Sequence, residues 1–142
     1  MQVDFYQLGR SPLDRVLLSI AGRVVEAGGR LLVVTGDAAQ AAAIDEGLWT
    51  VPADGFLPHG REGVDQPVLI TSSCEAVNGA RNVVLADGVW RDAALGFDRA
   101  FHVFDEATIE AARIAWKGLR DKPDVARNYW MQGEDGRWAK TA

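Results

Sequence analysis

The chain alternates between short apolar runs and longer stretches with helical spacing. Residues 3–8 alternate apolar and polar side chains as a strand does, and Gly9 ends the pattern. Ser11-Pro12 predicts a helix start, with Ser11 as N-cap and Pro12 at the first helical position. Leu13, Val16, Leu17, Ile20, Val24 and Val25 then keep helical spacing until Gly28-Gly29 stops it. Residues 30–35 form a nearly continuous apolar run, as expected of a strand covered on both faces. Gly36-Asp37 opens an alanine-rich helix through Leu48. Residues 67–71, 82–85 and 99–104 predict further strands, and Asp105 can cap a helix over about 106–121. The tail, 122–142, reads as a short helix followed by a packed or frayed end. The order strand, helix, strand, helix predicts a parallel sheet with right-handed crossovers. The expected fold is α/β: one domain over 1–142, a Rossmann-like three-layer sandwich with a mostly parallel sheet.

Composition narrows the class. At 142 residues, with 48% apolar and 25% charged residues, the chain has the make-up of an ordinary globular domain. No apolar run approaches the roughly 18 residues of a membrane span, and no charged leader precedes an apolar block. The single cysteine, Cys74, forbids an internal disulfide framework, so a cytoplasmic protein is expected. A net charge of −5 argues against strong direct binding of nucleic acid. Residues 105–142 nevertheless carry seven bases against seven acids, and the bases cluster. That local balance in an acidic chain, with its bases clustered, hints at an anionic partner.

The chemistry expected of many α/β domains is missing. Gly9-Arg10-Ser11-Pro12, after the first strand, lacks the G-x-G-x-x-G spacing that lets backbone approach a pyrophosphate. After the second strand, the Asp37 carboxylate would repel phosphate, and no G-x-x-x-x-G-K-[ST] occurs. No dinucleotide fingerprint and no cofactor are therefore expected. Two histidines and one cysteine offer no metal-ligand spacing, so no metal is expected either. Cys74 follows a strand where α/β enzymes place nucleophiles, but no G-x-S-x-G elbow surrounds it. Asp45-Glu46 are adjacent helical residues that point apart, as on a solvated face. His102, within a strand, reads as a satisfied or exposed residue. A small enzyme using Cys74 or a carboxylate stays as the alternative to a binding protein without catalytic activity.

Two surfaces could bind a partner. On the predicted helix over 105–121, Arg113, Trp116, Lys117 and Arg120 share one side at spacing i, i+3, i+4, i+7. Ile109, Ala112, Trp116 and Leu119 form its core stripe, which sets Trp116 on the border between buried and basic faces. Such an indole flanked by cations is a shelf for an apolar ring beside donors for carboxylates. A solvated charged face with a buried tryptophan would show the same spacing. The second surface is the Pro- and Gly-punctuated loop after the alanine-rich helix, where Trp49 and Phe56 lie seven residues apart. Its aromatics either cover the sheet edge or anchor a partner.

The run D-E-x-L-W-x-x-P-x-x-x-F-x-P-H over 45–59 carries a family resemblance, together with Phe5-Tyr6, residues 30–33, Pro67-Val68, Phe104-Asp105, Ala112-Arg113 and Trp116-Lys117. On these residues the chain resembles the chi subunit family of bacterial DNA polymerase III holoenzyme over most of 3–121. The resemblance implies a non-catalytic accessory subunit. It would join the clamp loader, through the psi subunit, to the single-stranded DNA-binding protein SSB. It implies that Arg113, Trp116, Lys117 and Arg120, with Val103 as an apolar wall, grip SSB's acidic, Phe-ending C-terminal tail. Trp49 and Phe56 would face psi or another replisome or repair protein. A lysine that the family carries on the tail-binding helix falls near Ile109-Glu110 here.

Overall fold

The computed structural model describes residues 1–49 and 59–142. The chain runs β1 (Gln2–Gln7), α1 (Leu13–Glu26), β2 (Leu31–Val34), α2 (Ala38–Trp49), β3 (Val68–Thr71), β4 (Asn82–Leu85), β5 (Arg99–Phe104), α3 (Ile109–Leu119), β6 (Ala126–Gln132) and β7 (Trp138–Lys140). Short 3-10 turns at Asp92–Gly96 and Glu106–Thr108 lead into β5 and α3. The seven strands form one sheet in the order β3-β2-β4-β5-β1-β6-β7. Neighbours are parallel throughout, apart from the antiparallel pair β6 and β7.

The sheet is covered on both faces, which explains the unbroken apolar strands. Along β2, Leu31 and Val33 pack toward α1 and α2, where Leu17, Ile20, Ile44 and Leu48 meet them. Leu32 and Val34 pack the other way, into the layer closed by Ala112, Ala115 and Leu119 of α3. All four β2 side chains are therefore buried, and none is free to be polar. Each such aliphatic side chain contributes about 1.5–3 kcal/mol of burial, so the three-layer arrangement follows from the pattern. At the end of α1 the chain turns through Gly28 at φ +83°, a backbone state that glycine adopts without strain.

The expectation of a short helix in 122–142 is corrected: the tail is the strand pair β6 and β7, and its end is packed, with Trp138 against the core. β6 lies beside β1 in register Gln2 with Ala126 through Gln7 with Met131. Its side chains alternate aromatic and polar on both faces, which hides the usual apolar–polar signal of a strand. Arg127 and Tyr129 turn toward α3, while Asn128 and Trp130 turn toward α1. A smaller correction concerns the start of α1. Pro12 is the N-cap and Leu13 the first helical residue. Ser11 is occupied elsewhere: its amide donates to Gln132 Oε1 at 2.8 Å, and its hydroxyl accepts from Gln132 Nε2 at 2.8 Å.

Asp105 does cap the turn into α3, accepting from the Thr108 amide at 3.1 Å while its own amide donates to Thr108 Oγ1. The pinned Thr108 lies against Gly88, whose φ is +73° and where a Cβ would come within 2.6 Å of Thr108 atoms. Gly88→Ala is therefore expected to cost about 2–4 kcal/mol, from left-handed strain and overpacking together. Urea unfolding checks this, and an unchanged midpoint contradicts it.

Candidate functional site

On α3, Ala112, Ala115 and Leu119 are buried against the sheet, while Arg113, Ile114 and Lys117 face water. Trp116 sits between these groups and is half-buried. Its ring meets Phe5 edge-on, with centroids 5.2 Å apart, and Tyr129 edge-on at 5.6 Å. Over that ring lies the guanidinium of Arg127, with Cζ 4.1 Å from the centroid, and Arg127 Nη1 also donates to the Trp116 carbonyl. A cation held this close to an indole contributes about 0.5–2 kcal/mol and gives the shelf a fixed charge. Tyr129 closes the side of the site, its hydroxyl donating to Gln7 Oε1 at 2.7 Å. Burial raises the Tyr129 pKa against the opposing pull of Arg113, so it remains a neutral donor.

The cations around the shelf are held lightly. Arg113 Nη1 lies 2.8 Å from Glu110 Oε1, with both side chains more than half exposed. Arg120 Nε lies 3.7 Å from Asp121 Oδ1, again at the surface. Exposed pairs of this kind contribute about 0–1 kcal/mol, so an incoming carboxylate can exchange with either acid. Lys117 is exposed and makes no ion pair among the described residues. Ile114 is 73% exposed but points about 100° away from Arg113 around the helix, off the shelf that Trp116 forms.

Arg113, Trp116 and Lys117 thus share α3, as their spacing required, and Arg120 follows as its C-cap in helical backbone. Val103 does not join them. It is buried in the layer under α1 and α2, on the other side of the sheet from Trp116, because alternate β5 residues point to opposite faces. The face instead gains Arg127 and Tyr129, which reasoning from the sequence missed. The alternation of Arg127 and Tyr129 was the available signal, and it becomes readable only once 126–132 is taken as a strand. Trp49 is the last residue of α2, and Phe56 lies outside the described residues. The ends of that loop are tied down: His59 is buried with Nε2 3.2 Å from Asp45 Oδ1, and Arg61 approaches Asp45 at 3.6 Å. Asp45 is an anchor there, while its neighbour Glu46 is exposed.

The residues singled out for chemistry behave otherwise than catalysts. Burial raises the Cys74 pKa, outweighing Arg91, and disfavours the thiolate that a nucleophile requires. His102 is the other correction, being neither satisfied nor exposed. It is fully buried among Phe5, Trp90 and Phe104, and neither ring nitrogen has a hydrogen-bond partner among the described residues. Among the described residues no group of three or more His, Cys, Asp or Glu side chains could hold a metal ion. No helix among them is long and apolar enough to cross a membrane.

These features define a Rossmann-like α/β protein distinguished by an aromatic and cationic helix face. Comparison with known proteins matches the family model described as DNA polymerase III chi subunit, HolC, over residues 1–123. The chain is also 36% identical over 119 residues to DNA polymerase III subunit chi of Escherichia coli (strain K12), covering 79% of this chain and 81% of that protein. It belongs to the DNA polymerase III chi subunit family. The family match ends before β6, so Arg127, Tyr129, Trp130 and Trp138 lie beyond it.

Proposed function

We propose that this chain is a non-catalytic subunit of the polymerase III clamp-loader complex that binds the acidic C-terminal tail of SSB through α3 and links SSB to the replisome. The observation that carries the reading is the half-buried Trp116, with Arg127 over its ring and Arg113, Lys117 and Arg120 around it. A tail ending in phenylalanine has an apolar ring beside carboxylates. That chemistry matches an aromatic shelf with exchangeable guanidinium groups at its rim. The psi subunit, or another replisome or repair protein, would dock on the loop carrying Trp49 and Phe56. Work at the replisome places the protein in the cytoplasm.

Calorimetry with an acidic, Phe-ending peptide tests the reading. Arg113→Ala should weaken binding by about 1–3 kcal/mol, the value of one charge-assisted contact. Raised salt should weaken it further, because the rim is exposed. A wild-type protein that ignores the peptide ends the proposal.

A further inference from the structure

The face of the sheet opposite α3 carries a second concavity that the α3 reading leaves unused. Two lobes of about 300 and 370 Å³ run along the α1 side of the sheet and share Ile20, Arg23 and Arg99. Tyr6, Ser19, Trp130 and Trp138 line the larger lobe. No carboxylate is among the described lining residues of either lobe. In a chain of net charge −5, a hollow walled by two guanidinium groups and two indoles is a local exception.

The walls are held in place from below. Asp4 is fully buried, yet its carboxylate accepts from Arg99 Nε at 2.8 Å, Gln2 Nε2 at 3.0 Å, Asn128 Nδ2 at 3.0 Å and Trp130 Nε1 at 3.2 Å. Burying a carboxylate is costly, and this one orients both a guanidinium and an indole that line the groove. Arg99 remains 42% exposed, with its Cζ 4.6 Å from the Phe101 ring centroid. Arg23 is exposed and donates to Ser19 Oγ at 3.3 Å, one helical turn back. The Tyr6 hydroxyl has no hydrogen-bond partner among the described residues. Burial first, and then Asp4, raise its pKa against Arg99 and Arg23, so it stays a neutral donor. Trp130 stacks on Tyr6 at 6.1 Å and Trp138 meets it edge-on at 5.2 Å, and both indoles are half-buried.

We propose that this groove binds a nucleotide unit. The phosphate would lie between Arg23 and Arg99, with the Ser19 and Tyr6 hydroxyls as further donors, and the base against Trp130 and Trp138. A phosphate offers three acceptor oxygens to this set of donors, matching guanidinium geometry, and an indole is a sequence-tolerant surface for any base. The lobe volumes fall in the range of about 300–1,000 Å³ common to small-molecule sites. The same chemistry is presented by a free nucleoside monophosphate and by a unit of single-stranded DNA. With two cations and an acidic remainder, binding is local and does not extend along a strand.

The test uses three probes on the full chain at low salt: thymidine monophosphate, a fluorescein-labelled dT12 strand, and inorganic phosphate. Thymidine monophosphate is expected to bind, and Arg23→Glu to weaken it at least tenfold without loss of the fold, since Arg23 is a surface residue. Arg113→Glu, on the opposite face, should leave this binding unchanged, so failure here is separable from failure of the SSB reading. If dT12 binds more tightly than the mononucleotide, with log K falling against log salt at a slope of about −0.7, since Arg23 is the cation of the pair that Asp4 does not neutralise, the source is a strand. Equal or weaker binding of dT12 assigns the free nucleotide. Inorganic phosphate binding as tightly as the nucleotide would remove the role of the indoles and overturn the proposal. So would an Arg23→Glu protein that binds like wild type, or no binding of either nucleotide probe at millimolar concentration.

Discussion

Asp4→Ala is expected to lower the unfolding free energy by about 2–4 kcal/mol, among the larger effects of any single polar substitution in this fold. The carboxylate is fully buried and accepts from donors on three adjacent strands, β1, β5 and β6. Its removal affects those donors unequally. Arg99 is 42% exposed and can turn to water, so its loss is modest. Trp130 Nε1 and Asn128 Nδ2 are partly buried against the sheet and would lose their acceptor. Each such group left unmet costs about 1–3 kcal/mol. β6 would also loosen from β1, because two of its side chains are tied there through this carboxylate. Urea unfolding followed by tryptophan fluorescence reads the change. A midpoint within experimental scatter of wild type would mean that β6 is held by its backbone ladder alone.

Most of the central sheet was legible because burial on both faces forces apolar runs. The strands at 30–35, 67–71, 82–85 and 99–104 could be read within a residue or two, and so could α1 and α2, while α3 starts three residues later than read because Glu106–Thr108 is a 3-10 turn. β6 was not legible for the opposite reason. One of its faces completes the α3 site with Arg127 and Tyr129, and the other supplies Asn128 and Trp130 to Asp4. A strand that serves two polar surfaces carries no apolar stripe, and pattern reasoning cannot see it. The helix face was readable because Arg113, Trp116 and Lys117 sit on one helix and Arg120 caps it in helical backbone, where spacing alone determines direction. Val103 failed because it belongs to a strand, where one residue of displacement reverses the face.

Lowering the pH from 7 to 4 is expected to remove about 3 kcal/mol of stability through His102 alone. Burial drives its pKa from the ordinary 6.5 down to about 4, with Arg91 pushing the same way and Asp87 pulling against them. In the unfolded chain the imidazole takes up its proton near 6.5, while in the folded chain it stays neutral until about 4. Between those values the unfolded state binds more protons, so stability falls as the pH falls. The contribution is complete above pH 6.5 and fully lost below about 4. Asp87 does not blur the window, because its own pKa is lowered from 3.8: burial, which raises it, is outweighed by the Arg91 and backbone hydrogen bonds and the Arg91 charge together, and its titration lies further acid. His102→Leu isolates the effect. The variant gives up edge contacts with Phe5 and Trp90 but no hydrogen bond, and it cannot titrate. Unfolding free energies measured at pH 7, 5 and 4 should converge for the two proteins as the pH falls, or cross. Parallel curves would show that the imidazole finds a proton partner on acidification, and the burial argument would then be wrong.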